Sequence, residues 1–453
     1  MPQKNRTASS DMADVYYLIS DLHIGGDEQL QQVDFLDELL GFLRELEEND
    51  EDAELIINGD AFGLWEFTEF EGPEKFDALL DRYPDLFDQL EATGREIPIT
   101  LIPGNHDYEL AAYPAYVERL AEYNVTLEQE VSIERRVGDS LVHVEHGMQE
   151  DPNNRIPDFG NPYANPPGYF VNRQITSRAG KLSDRGKYNW LKDIQAVTPM
   201  TEIPDWLVSN YFYREMSPWL RYSVVPFLLL FNAGVLYVAM FALDWFDVWS
   251  LPLTLVEEVF SFFGSAGRLV ELVFVGNLVI ILLLLAISIP FSVFVWDARK
   301  TLRRFGLVRS PAEREPVEKY YDRARDVFAS EPEVAVYVYG HTHRPAVTEV
   351  DDRLVVNTGT WLKRLNRVDP PLGVLPPVYY STYQLNYFRL SATDDGDVLV
   401  EYDVIEKSDP DEETLLQRLL TRSPRRQRNP PDRTVVNRTI EGSSQLNESA
   451  VTE

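Results

Sequence analysis

The chain begins with apolar runs of two different periods. "DVYYLIS" (14–20) and "AELIING" (53–59) are short, β-branched or aromatic stretches bounded by polar residues, the pattern of buried strands. Between them, "QLQQVDFLDELLGFLRELEE" (29–48) repeats its apolar residues at helical spacing. A second helical region, "EKFDALLDRYPDLFDQLEATG" (74–94), leads into the strand "IPITLI" (97–102), and the spacing predicts another helix near 114–123. "VSIERRV" (131–137) and "LVHVEH" (141–146) read as antiparallel strands. Far downstream a charged helix over 311–330 precedes the strands "VAVYVYG" (334–340), "AVTEV" and "RLVVNTGT". "YFRLSAT" and "DVLVEYDVIE" complete the ordered part, and no internal repeat interrupts this α/β order.

The two halves are separated by a different kind of sequence. Residues 222–243 and 272–296 carry no charge, and at 22 and 25 residues each suffices to cross about 30 Å of hydrocarbon. Trp219, Tyr222, Trp245 and Trp296 stand at their ends, where membrane interfaces favour aromatic rings. Arg214 and Arg221 precede the first stretch, Arg299, Lys300, Arg303 and Arg304 follow the second, and the connecting 244–271 holds Asp244, Asp247, Glu257, Glu258 and Glu271 with only Arg268. The expectation is an integral membrane protein with a transmembrane helical hairpin, both termini and the flanking domain being cytoplasmic. A pair of buried core helices is the alternative. The aromatic stretch 201–222 suits an interface, and Arg155, Arg173, Arg178, Lys181, Arg185 and Lys187 either engage phosphate and headgroups or are merely solvated.

The predicted organisation is therefore a disordered N-terminus (1–13), a split domain (14–165 and 311–408), an insertion (166–310) and a tail (409–453). The tail's Pro, Arg, Asn, Ser and Asp content predicts disorder.

Charge and cysteine usage narrow the partners. There are 74 acidic against 42 basic residues, a net charge of -32, which repels nucleic acid. Such a surface suits high salt, where carboxylates hold water and screening removes self-repulsion, and points to a halophilic cell. With no cysteine, disulfides, thiolate catalysis and zinc–thiolate sites are excluded.

The chemistry lies at the predicted strand ends. "SDLH" (20–23), "NGD" (58–60), "PGNHD" (103–107), "EHG" (145–147) and "GHTH" (340–343) each follow a strand signal and together contain five of the six histidines. Residues i and i+2 of a strand share a face, so Asp21 with His23, and His341 with His343, can aim into one space. Sheets of this type hold ligands at the carboxyl ends of their strands, and carboxylates with imidazoles suit Mn, Fe, Zn or related divalent ions. His106, next to Asn105, can stabilise transition-state oxygens or protonate a leaving group, with Asp107 orienting it. The sixth histidine, His143, faces away from His146 and reads as structural, hydrogen-bonded to an acidic neighbour; it is the alternative ligand should the strand be bulged.

The order DxH, GD, GNH(D/E), H, GHxH resembles that of the calcineurin-like metallophosphoesterases. The resemblance implies a four-layer αββα sandwich with two divalent metal ions, interrupted here by the insertion. Asp21, His23 and His343 would hold one metal, Asn105, His146 and His341 the other, and Asp60 would bridge them. "GDAFGLWEF" and "GHTHRPAV" resemble the UDP-2,3-diacylglucosamine hydrolase branch, which cleaves a pyrophosphate of a lipid-linked nucleotide at the membrane surface; His106 stands where that branch commonly has arginine. The implied function is hydrolysis of a phosphoester or pyrophosphate, on a lipid or lipid-linked molecule at the cytoplasmic membrane surface. A membrane-tethered phosphodiesterase or phosphatase on soluble substrates and a non-catalytic scaffold are the alternatives.

Overall fold

The computed structural model describes residues 13–27, 32–176, 193–194, 196–197, 202–304, 317–370, 375–421 and 429–436. The N-terminal stretch expected to be disordered lies almost wholly outside the described residues, as do Arg178, Lys181, Arg185 and Lys187. The chain divides into two compact units. One comprises Met1–Asn210, Val317–Val368 and Pro377–Glu453, the other Tyr211–Pro316 and Asp369–Pro376.

In the first unit, β1 (Val15–Ile19), β2 (Ala53–Asn58), β3 (Ile99–Ile102) and β4 (Val125–Leu127) form a parallel run. The later strands β12 (Leu385–Ala392), β13 (Val398–Ile405) and β14 (Arg433–Val436) extend this sheet antiparallel from β1. A second, five-stranded sheet runs β5 (Ser132–Val137), β6 (Ser140–Glu145), β7 (Val334–Tyr339), β9 (Arg353–Asn357), β8 (Ala346–Val350). Here β6, β7 and β9 are mutually parallel. A separate pair, β10 (Arg364–Val368) with β11 (Val378–Thr382), had no clear signal in the pattern.

Alternation along each strand assigns the layers. Val15, Tyr17, Ile19, Leu55, Ile57, Ile99 and Leu101 pack against α1 (Leu36–Glu47), α2 (Glu74–Arg82) and α3 (Pro84–Glu96). Tyr16, Leu18 and Ile56 point the other way and meet Val142, Val144, Val336, Val338 and Val356 of the second sheet. Tyr337, Tyr339 and Val355 turn outward beneath the helix Glu318–Ser330. The order helix, sheet, sheet, helix follows. Both faces of the inner strands are buried, which is why they read as near-continuous apolar runs. Arg135 on β5 clasps Glu54 on β2 with two 2.8 Å hydrogen bonds and so ties one sheet to the other.

Differences from the sequence reading have local causes. The helical region 74–94 breaks at Tyr83 because Pro84 disfavours a helical predecessor and starts the next helix at its first position. The segment from residue 409, expected to be disordered, contains a helix Leu415–Leu420, opened by a capping box between Thr414 and Gln417. It also contains β14, which pairs with β13 and covers an edge that would otherwise expose unpaired amides. Residues 422–428 and 437–453 lie outside the described residues.

The second unit contains the helices Pro218–Trp245, Leu251–Phe262 and Ser265–Arg304. Among the described residues no helix is long and apolar enough to cross a membrane, so the expected pair of transmembrane spans is not found. Part of the apolar character serves helix–helix packing: Tyr237, Phe260 and Phe274 form a ring cluster with centroids 5.5–6.1 Å apart. Gly234 lies against the buried Asn277, so a side chain there would collide with its amide, while Gly276 faces nothing within 4 Å among the described residues. The middle helix replaces the loop expected over 244–271. Trp219, Trp245, Phe262 and Trp296 remain widely exposed.

Candidate metal centre

Five strands, β1, β2, β3, β6 and β7, end in the motifs singled out in the sequence. Because β1–β3 are parallel, as are β6 and β7, their carboxyl ends gather on one edge of the paired sheets. The convergence of the motif residues has another cause than strand alternation. Asp21, His23, Asp60, His341 and His343 all lie beyond their strands with positive φ, between 46° and 65°. That region is disfavoured for residues with a Cβ, and such conformations concentrate at functional sites. The turn after β1 brings Asp21 and His23 to one point, whereas the turn after β7 sends His343 to that point and His341 to a second one.

Two clusters result. Asp21, His23 and His343 place one donor atom each within 4.8 Å of one another, and so do Asp60, His146 and His341. Asp21 Oδ1 is 3.1 Å from His343 Nε2, and the Nε2 atoms of His23 and His343 are 3.2 Å apart. Asp60 stands between the clusters: its Oδ2 is 3.2 Å from His146 Nε2 and 3.7 Å from His23 Nε2. Its Oδ1 accepts the backbone N–H of His106 at 2.7 Å. Asn105 is buried, flanked by Gly104 and His106, both of which touch Asp60.

The glycines of these motifs have a steric reason. A Cβ on Gly104 would run into the carboxylate and backbone nitrogen of Asp60. Gly59, at φ +78°, lies equally close to the His146 ring.

The polar groups present fit a pair of cations. Among the described residues, buried Asn105 Oδ1 has no hydrogen-bond partner, and buried Asp21 Oδ1 and His146 Nε2 have only His343 Nε2 at 3.1 Å and Asp60 Oδ2 at 3.2 Å beside them, outside hydrogen-bonding geometry. Each such atom costs about 1–3 kcal/mol unless something satisfies it, and all three belong to the expected ligand set. The imidazoles are also held from behind. His146 Nδ1 donates to the Asn58 carbonyl at 2.8 Å, which aims Nε2 at the centre. His341 Nε2 meets Asp151 Oδ2 at 3.2 Å, which turns Nδ1 inward. Burial, helped by the charge of His106, pushes His23 down to about 3, so its imidazole is neutral and free to coordinate.

His106 occupies the expected place, but its partner is not Asp107. Its Nδ1 donates to Glu66 Oε1 at 2.8 Å, and Asn172 Nδ2 holds the same oxygen at 2.9 Å. The His106 ring lies 4.7 Å from Trp65 and 4.5 Å from His23. Against the opposing effect of burial, Glu66 and Asp60 push His106 up to about 9, which keeps a proton on it. Asp107 instead accepts the N–H groups of Gly104 at 2.6 Å and Phe62 at 3.2 Å, bracing two loops. Burial and the Asp60 charge push it up to about 7. The expectation that Asp107 orients His106 is corrected: adjacency in sequence pointed to it, whereas the 3-10 turn Leu64–Glu66 delivers Glu66.

His143 lies on β6 rather than in either cluster, stacked on Tyr337 and bonded through Nε2 to Glu145 at 3.1 Å. The register shift of β6 falls between Leu141 and Val142 and does not turn His143 toward the centre. Sequence reasoning missed Glu66, Asp151 and the Asn58 carbonyl. An acid embedded in the apolar run "AFGLWEF" was the available signal for the first.

Residues 16–239 match the family model described as calcineurin-like phosphoesterase. That span contains Asp21, His23, Asp60, Asn105, His106 and His146 and ends before His341 and His343. No curated protein matches the sequence at a significant level. Among solved structures, a predicted phosphoesterase from Streptococcus pneumoniae TIGR4 is similar at 10% identity, with 89% of this chain and 95% of that chain covered and a TM-score of 0.26. Vacuolar Protein Sorting 29 from Cryptosporidium parvum aligns at 11% identity over 88% of this chain and 100% of its own, with a TM-score of 0.23. The phosphopantetheinyl hydrolase of Mycobacterium tuberculosis aligns at 12% identity over 77% and 91%, with a TM-score of 0.25. At these scores the likenesses carry no weight for function.

Proposed function

We propose, from the premise that residues 16–239 carry a calcineurin-like phosphoesterase domain, that this hydrolase of phosphoric esters works with two divalent cations held by the two clusters. Asp21, His23 and His343 would hold one, and Asn105, His146 and His341 the other, with Asp60 shared. The observation that carries the reading is the Asp60 carboxylate, one oxygen of which lies close to a histidine of each cluster. When bound, such a pair supplies an activated water and neutralises phosphoryl charge.

The chain's own residues do the rest. Asn58 and Asp151 fix the imidazole orientations. His106, kept protonated by Glu66, delivers a proton to the departing oxygen or stabilises the equatorial ones. Replacing Glu66 by glutamine should lower turnover roughly 10–100-fold. The loss should be greater for alkyl phosphoesters than for nitrophenyl esters, whose leaving group needs no proton. Equal losses on both would remove His106 from proton delivery.

The substrate we propose is a phosphoester or pyrophosphate on a lipid or lipid-linked molecule, met at the cytoplasmic membrane surface. Three observations support it: the motif context "GDAFGLWEF" and "GHTHRPAV", the widely exposed Trp219, Trp245, Phe262 and Trp296, and the basic flank Arg299–Arg304. Arg173, over Tyr169, which in turn packs on Trp65 beside His106, is a cation within reach of a phosphate. The test is a screen of the manganese-reloaded protein across phospholipids, lipid-linked nucleotides and simple diesters, with Asp60→Ala as the blank. Cleavage of soluble nucleotides with no lipid phosphate touched would overturn the lipid substrate and favour the soluble-substrate reading. Failure of the protein to float with anionic liposomes would remove the membrane.

A further inference from the structure

We infer that the outer face of the second sheet carries another divalent-cation site, built by His143, Glu134 and Glu331. Glu134 on β5 and His143 on β6 are direct cross-strand partners, and Glu331 follows the last turn of the helix Glu318–Ser330. Donor atoms of the three lie within 4.8 Å of one another, and His143 Nδ1 is 3.9 Å from Glu134 Oε1.

The state of His143 distinguishes this cluster from an ordinary acidic patch. The residue is 4% exposed, and its Nδ1 is buried with no hydrogen-bond partner. Its other nitrogen is fully engaged. Glu145 Oε2, a pure acceptor, sits 3.1 Å from Nε2, so the ring proton is there and the lone pair is on Nδ1. Glu145 cannot drift, because Arg323 holds it at 2.9 Å and the Tyr337 hydroxyl at 2.6 Å. A carboxylate behind one imidazole nitrogen, with the other bare, is how proteins prepare a histidine for a metal. Facing that lone pair are two carboxyl groups drawn together against their own repulsion, and Glu331 Oε2 is itself buried and unpartnered. The Glu134 carboxyl is raised, first by the nearness of Glu331 and then by burial, as expected of two acids held in one place.

One imidazole and two carboxylates suit a borderline cation such as Zn²⁺, a water completing the tetrahedron. Ligand atoms in such a site stand about 3.3 Å apart, from metal–ligand distances of about 2.0–2.2 Å. Glu134, with its side chain 42% exposed, has the freedom to close the difference. The cation would clip the β5–β6 hairpin to the end of the covering helix. Its role is structural, and it lies apart from the hydrolytic centre: His143 points to the covering helix, whereas His146 lies past the strand end.

The experiment counts zinc. The chelator-stripped full chain is reloaded with Zn²⁺, freed of excess and measured by elemental analysis, alongside Glu331→Gln and Glu134→Gln. Each variant should retain one cation fewer per chain than the parent, with phosphoesterase turnover unchanged and the melting temperature no longer raised by that last equivalent. Equal zinc content in parent and both variants would overturn the site. So would a lost cation accompanied by lost turnover, because that cation would belong to the hydrolytic centre. The count does not depend on which phosphoester is cleaved.

Discussion

Asp60→Ala should abolish hydrolysis, lowering turnover by about 10³-fold or more, the scale expected when the groups that stabilise phosphoryl charge are lost together. Among the described residues, Asp60 is the carboxylate with an oxygen within 4 Å of a histidine of each cluster, so its loss uncouples the pair instead of removing a single ligand. The retained manganese, read by elemental analysis after gel filtration, should fall with turnover. Asp60 is fully buried, with His146 and His23 near its carboxylate and the His106 N–H bonded to it, so the variant also loses those attractions, and its melting temperature is measured beside its turnover. Turnover within about tenfold of the parent would be incompatible with a shared carboxylate.

Gly104→Ala should be nearly as damaging through geometry alone. The added methyl would meet the Asp60 backbone as well as its carboxylate, and a backbone atom has nowhere to go. Either the loop carrying Asn105 and His106 moves outward or the loop carrying Asp60 does. Overpacking of this kind costs about 1–3 kcal/mol, and a displacement near 1 Å in a catalytic constellation lowers turnover by about 10²-fold. Gly276→Ala is the control, since among the described residues nothing lies within 4 Å of that position. Melting temperature and turnover measured on both variants check the claim. A Gly104→Ala protein with parental turnover would show that the approach to Asp60 is not needed.

The sequence revealed most about the site where the chemistry was compressed into short motifs. Asp21, His23, Asp60, His146, His341 and His343 could be read because strand signals and scarce histidines coincide. The reason offered for their convergence was incomplete, since left-handed loop conformations after the strands aim the side chains. Glu66 and Asp151 were missed because their partners lie 40 and 190 residues away, a distance no local pattern encodes. Adjacency favoured Asp107 for the same role, but its oxygens are already engaged by the amides of Gly104 and Phe62. In the fold, strands buried on both faces were legible, whereas β10, β11 and β14 were not. The half-buried β10 and the largely exposed β14 carry little apolar signal, and the short, largely buried β11 follows directly on Pro376 and Pro377, which read as a loop. The uncharged stretches 222–243 and 272–296 were read by length, charge and the aromatic residues at their ends, and none of these sees rings such as Tyr237, Phe260 and Phe274 packing among themselves.

The split of the first unit has a consequence for biosynthesis. When the ribosome has made the chain through β6, the β7 partner of that strand is still almost two hundred residues away. The β12 neighbour of β1 comes later still. Both sheets therefore spend much of translation with a naked hydrogen-bonding edge, the condition in which unfinished chains pair with one another. The first unit is thus expected to complete its sheets only after β12 has been made, and limited proteolysis of ribosome-bound chains arrested before and after β12 would check this.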